Sequence, residues 1–230
     1  MQTLDRHIYV VTGHYGTGKS NIAVNLAVKA SQQGRETVLV DLDIVNPFFR
    51  SADCKEMLQN AGIRTIVPPF ANTGADLPTL SGQIDTVLRQ KELCVILDVG
   101  GDDAGAAALG RYAKFVAQDT YEMLYVVQQK RFLTVTASEM AQVLAEIEAA
   151  SHLKATGIIN NTNLAWETTG EDIIDSFACV DALCAKTGLP LFATTVRADL
   201  AEAVSADHPN QRITPIQIYI TNPFETGGRS

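Results

Sequence analysis

Short apolar runs alternate with longer stretches of helical periodicity along the chain. The first run is 7–11, and a glycine-rich loop separates it from a helical stretch over 19–33. In that stretch Ile22 and Leu26 join Ala23, Ala27 and Ala30 on one side, and Gly34 stands where a left-handed residue ends a helix. The same pattern predicts strands over 37–40, 64–67, 93–97, 123–127, 156–159 and 191–195, the last closing the series. It predicts helices over 83–91, 137–150 and 173–187. Cys94-Val-Ile-Leu97 is apolar throughout, as a strand covered on both faces must be. Strands alternating with helices in this way make a parallel sheet with helices on each face. The stretch 213–223 alternates like a strand, and the tail past Asn210, above all from about residue 222, is expected to fray.

Composition narrows the class. With 230 residues, 46% apolar and 19% charged, the chain suits one folded domain spanning 1–230. A net charge of −8 without a run of Lys or Arg argues against a nucleic-acid-binding face. The four cysteines, Cys54, Cys94, Cys179 and Cys184, show no Cys-x-x-Cys spacing and read as reduced thiols. No apolar run approaches the roughly 18 residues of a membrane span. Asp5 and Arg6 precede the first strand where a signal peptide would not place them. A cytoplasmic protein that binds neither nucleic acid nor membrane is expected.

The strongest chemical signal is Gly13, His14, Tyr15, Gly16, Thr17, Gly18, Lys19 and Ser20, which fits G-x-x-x-x-G-K-[ST] at every fixed position. Such glycines let a loop curl its backbone N–H groups around phosphate oxygens. The lysine bridges the terminal phosphates and the serine hydroxyl ligates Mg²⁺. The loop follows a strand and opens a helix, the context this chemistry requires. Gly16-x-Gly18 also begins a dinucleotide fingerprint, but Asn21 stands where the third glycine belongs.

Two further segments carry carboxylates at strand ends. Val38-Leu-Val-Asp41-Leu-Asp43 places two acids where ligands bind in parallel sheets, on one side if the strand persists that far. One would hold the Mg²⁺ shell while the other orients an attacking water. Both acids, Asp41 more than Asp43, would alternatively be loop-start acids capping a helix. Val95-Ile-Leu-Asp98-Val-Gly-Gly101 puts an acid after a buried strand, where an unpaired carboxylate is costly unless a metal lies near. Asp98 therefore reads as a Mg²⁺ ligand of the outer shell, and Gly101 as the glycine whose N–H approaches the γ-phosphate. Asp102 and Asp103 read as solvated loop acids.

Taken together these segments resemble the MinD/ParA/CobQ group of P-loop ATPases. The resemblance covers most of the chain, and adds Asn160 after a late strand and Val196-Arg-Ala-Asp199 after the last one. It implies a single three-layer, doubly wound, mostly parallel α/β domain of P-loop NTPase type. It also implies ATP and Mg²⁺ as ligands, with Lys19 and Asp43 catalytic and Ser20, Asp41, Asp43 and Asp98 around the metal. Asn21 extends the phosphate loop. Asn160, its close rival Asn161, Val196 and Asp199 would contact the base. Many members carry a lysine at the second loop position that reaches into a partner's site across a dimer. His14 stands there, so either the dimer forms differently or a cation such as Arg50 substitutes.

ATP is favoured over GTP because 160–163 reads Asn-Asn-Thr-Asn, without the acid that accepts from guanine. Trp166 is expected to pack locally, and Phe48-Phe49 to be either core or a partner-facing patch. The resemblance implies an ATPase that switches a protein client or serves enzyme maturation, as a homodimer, and the lack of an evident arginine finger implies that it is slow and partner-stimulated. A small-molecule enzyme of the CobQ/dethiobiotin-synthetase type and a non-catalytic nucleotide sensor are the competing readings. Membrane-positioning, DNA-partitioning and iron–sulfur-carrier subgroups are disfavoured. The chain lacks the C-terminal basic helix, the basic surface and the paired cysteines they use.

Overall fold

Eight strands hydrogen-bond in the order β3-β2-β4-β1-β5-β6-β7-β8, and every neighbouring pair is parallel. The computed structural model describes residues 3–43, 52–67, 77–101, 103–129, 136–162 and 167–220. In chain order the elements are β1 (Ile8–Thr12), α1 (Lys19–Gln32), β2 (Thr37–Asp41), α2 (Ala52–Asn60), β3 (Ile63–Ile66) and α3 (Leu77–Arg89). Next come β4 (Cys94–Asp98), α4 (Asp103–Gly110), α5 (Ala113–Ala117), β5 (Tyr121–Val127), α6 (Ala137–Ser151) and β6 (Gly157–Asn160). The series ends with α7 (Gly170–Thr187), β7 (Leu191–Arg197), α8 (Ala201–Asp207) and β8 (Ile213–Ile216).

The central strands are apolar on both faces because both are covered, and their side chains alternate between two cores. Ile8, Val10, Val38, Val40, Val95, Leu97, Met123 and Tyr125 pack toward the side of α3 to α7. Tyr9, Val11, Leu39, Cys94, Ile96, Leu124 and Val126 pack toward α1 and α2. A smaller core joins Ile173 and Phe177 of α7 to Val196 and Val204. The three-layer architecture expected from the alternation is thus present, with the sheet entirely parallel.

Four short helices depart from the periodicity reading. The sequence of α4 contains a single large apolar residue, Leu109, so no stripe marks it. The helices α2, α5 and α8 run for 9, 5 and 7 residues, too short for periodicity to stand out. The series does not close at 195, and part of the stretch read as tail is structured. Residues 213–216 form the edge strand β8, whose Pro215 lacks a donor that an edge does not need.

Gly34 has φ 78° immediately past α1, as a helix-ending glycine should. Among the described residues no helix is long and apolar enough to cross a membrane. Arg50, Phe48, Phe49, Asp102, Trp166 and the tail from 222 lie outside the described residues.

Candidate functional site

The site lies at the carboxyl end of the sheet, where β1 meets α1 beside β4 and β5. Such a crevice is where open parallel sheets bind ligands. Gly18, with φ 81°, makes the turn into α1 at a left-handed conformation that only glycine adopts without strain. No side chain caps α1 and its first turn has no acid. By contrast α6 and α7 each carry a capping box, Thr136 with Glu139 and Thr169 with Asp172. Among the described residues the start of α1 thus has no side-chain cap, and such helix starts are where anions bind.

The loop folds back on the His14 carbonyl. That oxygen accepts from Lys19 Nζ at 3.0 Å and from Thr17 Oγ1 at 2.9 Å. Lys19, only 7% exposed, is thereby held across the loop rather than extended into water. Gly101 abuts it: a Cβ there would meet Lys19 Nζ at 2.7 Å and the Tyr15 backbone N at 2.6 Å. Gly13 packs as tightly against the Val126 carbonyl of β5. Gly16 lies half-buried within the loop, and the Tyr15 ring projects outward, 65% exposed. His14 is half-buried, its Nδ1 3.3 Å from the Tyr15 carbonyl.

The acids fall into a different pairing from the one expected. β2 ends at Asp41, so Asp41 and Asp43 do not share a continuing strand; Asp41 lies instead in register with Asp98 on the adjacent β4. Each follows a residue facing the opposite core, so both face the α1 side. The Asp41 Oδ1 accepts from the Asp43 N–H at 2.9 Å, which leaves Asp43 at the half-buried rim.

Asp98 is fully enclosed, and among the described residues neither of its oxygens has a partner in hydrogen-bonding geometry. Burial pushes its carboxyl up to about 7 against the nearby Ser20 hydroxyl and Lys19 ammonium, which pull it down, and Asp43 adds to the rise. A buried carboxylate with both oxygens unsatisfied, beside a serine hydroxyl, fits a hydrated divalent cation. Among the described residues no three His, Cys, Asp or Glu side chains form a metal cage.

The residues expected at the base are placed less simply. Asn160 is fully buried, donating to Ser176 Oγ at 2.8 Å and accepting from Thr162 Oγ1 at 2.8 Å. Asn161 donates to the Thr17 carbonyl and accepts from the Thr195 hydroxyl. Both amides face inward, so base contact through either would require these bonds to be shared or exchanged. Val196 is buried in β7, while Asp199 is exposed and clasped by Arg197 through bonds of 2.6 and 2.9 Å. The Asn21 amide points away from the loop. It donates to the Gln217 carbonyl at 3.0 Å and accepts from the Tyr219 N–H at 2.8 Å. Asn25, one turn on, bonds Gln217 in both directions, so the segment after β8 is pinned along α1. Sequence reasoning passed over Asn25 and Thr195, although Thr195 stands at the end of a strand it had found.

A family model described as the CobQ/CobB/MinD/ParA nucleotide binding domain matches residues 8–206. Solved structures with a similar fold include cell division protein ftsY from Thermotoga maritima. It is 22% identical over 84% of this chain and 62% of that one, with a TM-score of 0.52. Chloroplast FtsY from Physcomitrella patens is 16% identical over 83% of this chain and 58% of that one, with a TM-score of 0.57. The chimerical protein CapA2B2 is 23% identical over 70% and 77%, with a TM-score of 0.50. This chain spans about three fifths of the length of the two FtsY chains. At these identities the likeness is one of fold. A search of curated proteins returned no match.

Proposed function

Because this chain belongs to the CobQ/CobB/MinD/ParA nucleotide-binding family, we propose that it binds Mg-ATP and hydrolyses it slowly, as a nucleotide-dependent switch on a protein client or in the maturation of another enzyme. The observation that carries the reading is the pairing of an uncapped α1 with the enclosed, unpartnered Asp98 beside its first turn. The one end calls for an anion and the other for a cation, and a Mg-nucleotide answers both. Ser20 would hold the metal, with Asp98 and Asp41 serving its water shell, and when bound it would neutralise phosphate charge.

The chain's own residues do the rest. Lys19 and the loop N–H groups hold the terminal phosphates. Gly101, with no Cβ, lets the Lys19 ammonium and the Tyr15 backbone of the phosphate loop lie directly against it. Asp43 at the rim is the carboxylate placed to orient a water. ATP is preferred over GTP on the absence of a guanine-reading acid in 160–163, and the acting unit is a homodimer.

Calorimetric titration with non-hydrolysable ATP and GTP analogues in Mg²⁺, alongside light scattering for mass, tests this directly. The ATP analogue is expected to bind more tightly and to favour a dimer, and Lys19→Ala to lose binding with its fold intact. Normal Mg-ATP binding by Lys19→Ala would show the site to be elsewhere.

A further inference from the structure

The segment after β8 is tied to two walls of the crevice. At its start the Ile216 carbonyl accepts from the Ala198 N–H at 3.1 Å, in the turn that follows β7. The Asn25 side chain then bonds Gln217 in both directions, at 2.9 and 3.0 Å. Asn21 donates to the same Gln217 carbonyl at 3.0 Å and accepts from the Tyr219 N–H at 2.8 Å. Two side chains of α1 thus give this backbone what a neighbouring strand would. Ile216, Tyr219 and Ile220 pack into the α1-side core with Leu124, Val126 and Ile159. The helices on that face, α1 and α2, lie mainly over β1 to β4, and residues 216–220 extend the cover toward β5 and β6.

The tie is short. The run from Ile216 to Tyr219, fully extended, spans about 10 Å. The turn after β7 and the first turn of α1 therefore cannot part without one anchor letting go. β1, which leads into α1, lies three strand spacings from β7, about 14 Å. The acids that would serve the metal stand on β2 and β4, on one side of β1, so a nucleoside attached to phosphates at α1 extends to the other side, toward β7. We propose that residues 216–220 form a strap whose docking is linked to nucleotide occupancy. Docked, it fixes the turn after β7 against α1, and a nucleotide that touches both walls holds the strap down in return. Linkage requires the ligand to bind the docked state more tightly, and the coupling is the same factor read from either side. Asn25 is then a positioning residue, because it acts on the crevice only through the strap. The inference rests on the nucleotide-binding reading above.

Hydrogen exchange at the Gln217 and Tyr219 amides, which bond Asn25 and Asn21, reads docking directly. It is followed in wild type and Asn25→Ala without ligand, with a non-hydrolysable Mg-ATP analogue and with Mg-tripolyphosphate, while calorimetry gives the affinities. In wild type the ATP analogue should slow exchange at both amides, and tripolyphosphate, which has no nucleoside, should leave it unchanged. Asn25→Ala removes both bonds to Gln217. It should speed exchange at 217 and 219, weaken the ATP analogue about tenfold and leave tripolyphosphate affinity at the wild-type value. Exchange at the two amides unmoved by the ATP analogue would overturn the proposal. So would an unchanged ATP affinity in the variant, or an equal loss for ATP and tripolyphosphate. Should Asn25→Ala fail to fold by circular dichroism, Tyr219→Ala, which removes an apolar anchor of the strap and leaves α1 intact, is read in the same way. Wild type binding neither ligand is a distinct result, and would remove the nucleotide site and the linkage together.

Discussion

Asp98→Asn should make the metal-free protein more stable while abolishing its response to Mg-nucleotide. The carboxyl of Asp98 is raised from 3.8 to about 7, first by burial and then by Asp43, with Ser20 and Lys19 opposing. A carboxyl raised on folding binds protons more tightly in the folded state, so stability falls as pH climbs through the interval between the two values. The cost is absent below about pH 4 and complete above about pH 7. Its ceiling, at 1.36 kcal/mol per unit, is about 4 kcal/mol, and relaxation around the buried charge brings the working figure to roughly 2–4 kcal/mol. For a chain of this size each kcal/mol moves the melting point by about 2–4 °C, so a rise on the order of 5–15 °C is expected at pH 8. Asparagine is close in volume and carries no charge, which isolates the ionisation. The assay is thermal unfolding by circular dichroism in EDTA at pH 5 and pH 8, repeated with Mg²⁺ and an ATP analogue. The gain should shrink toward low pH, and the stabilisation that ligand gives wild type should vanish in the variant. Equal or lower stability of Asp98→Asn at pH 8 in EDTA would mean that the carboxylate is well satisfied without a cation, and the argument for a metal site would fail.

Gly101→Ala places a methyl 2.6 Å from the Tyr15 N and 2.7 Å from Lys19 Nζ. It should lower Mg-ATP affinity at least about tenfold by calorimetry with little change in melting point, since the collision is with the loop and not the core; wild-type affinity would refute the placement. Asp119 accepts from His7 Nδ1 and Lys91 Nζ at the amino end of the sheet, away from the loop. Burial alone would raise its carboxyl, but the bonds from Lys91, His7 and the Thr120 N–H hold it at about 2. The stability it adds is therefore present above about pH 4 and lost as pH falls toward 2. Asp119→Asn should cost about 2 kcal/mol in urea unfolding at pH 7 and progressively less in acid, with nucleotide affinity unchanged.

The central strands were legible because they are buried on both faces. Stretches such as 94–97 have no polar position at which another reading could start. The helices that escaped were those whose stability does not come from an apolar stripe. Gly105 of α4 comes so near the Gly100 backbone that a Cβ would lie 2.5 Å from its carbonyl oxygen, and that fit is invisible to periodicity. Asp41 and Asp98 were each legible as an acid ending an apolar run. Their pairing was not, because it depends on β4 lying between β2 and β1, and strand order is not written in any one segment.

The asparagines show the same limit more sharply. Asn160 and Asn161 look alike in sequence, yet one amide serves Ser176 and Thr162 within the β6–α7 unit and the other crosses to Thr17. Local rules account for the first: its partners lie 16 and 2 residues away. Only the fold accounts for the second, whose partner lies 144 residues away. Asn21 is the converse case. Its position directly after Ser20 suggests a phosphate ligand, but the i, i+4 spacing to Asn25 makes a pair that grips the Gln217–Tyr219 backbone instead. The places where local expectation fails therefore lie at one end of the sheet: an uncapped helix, an enclosed carboxylate without partners and inward-turned amides. An uncapped start is shared by α5 and α8, so it is its combination with the enclosed carboxylate that ligand binding accounts for.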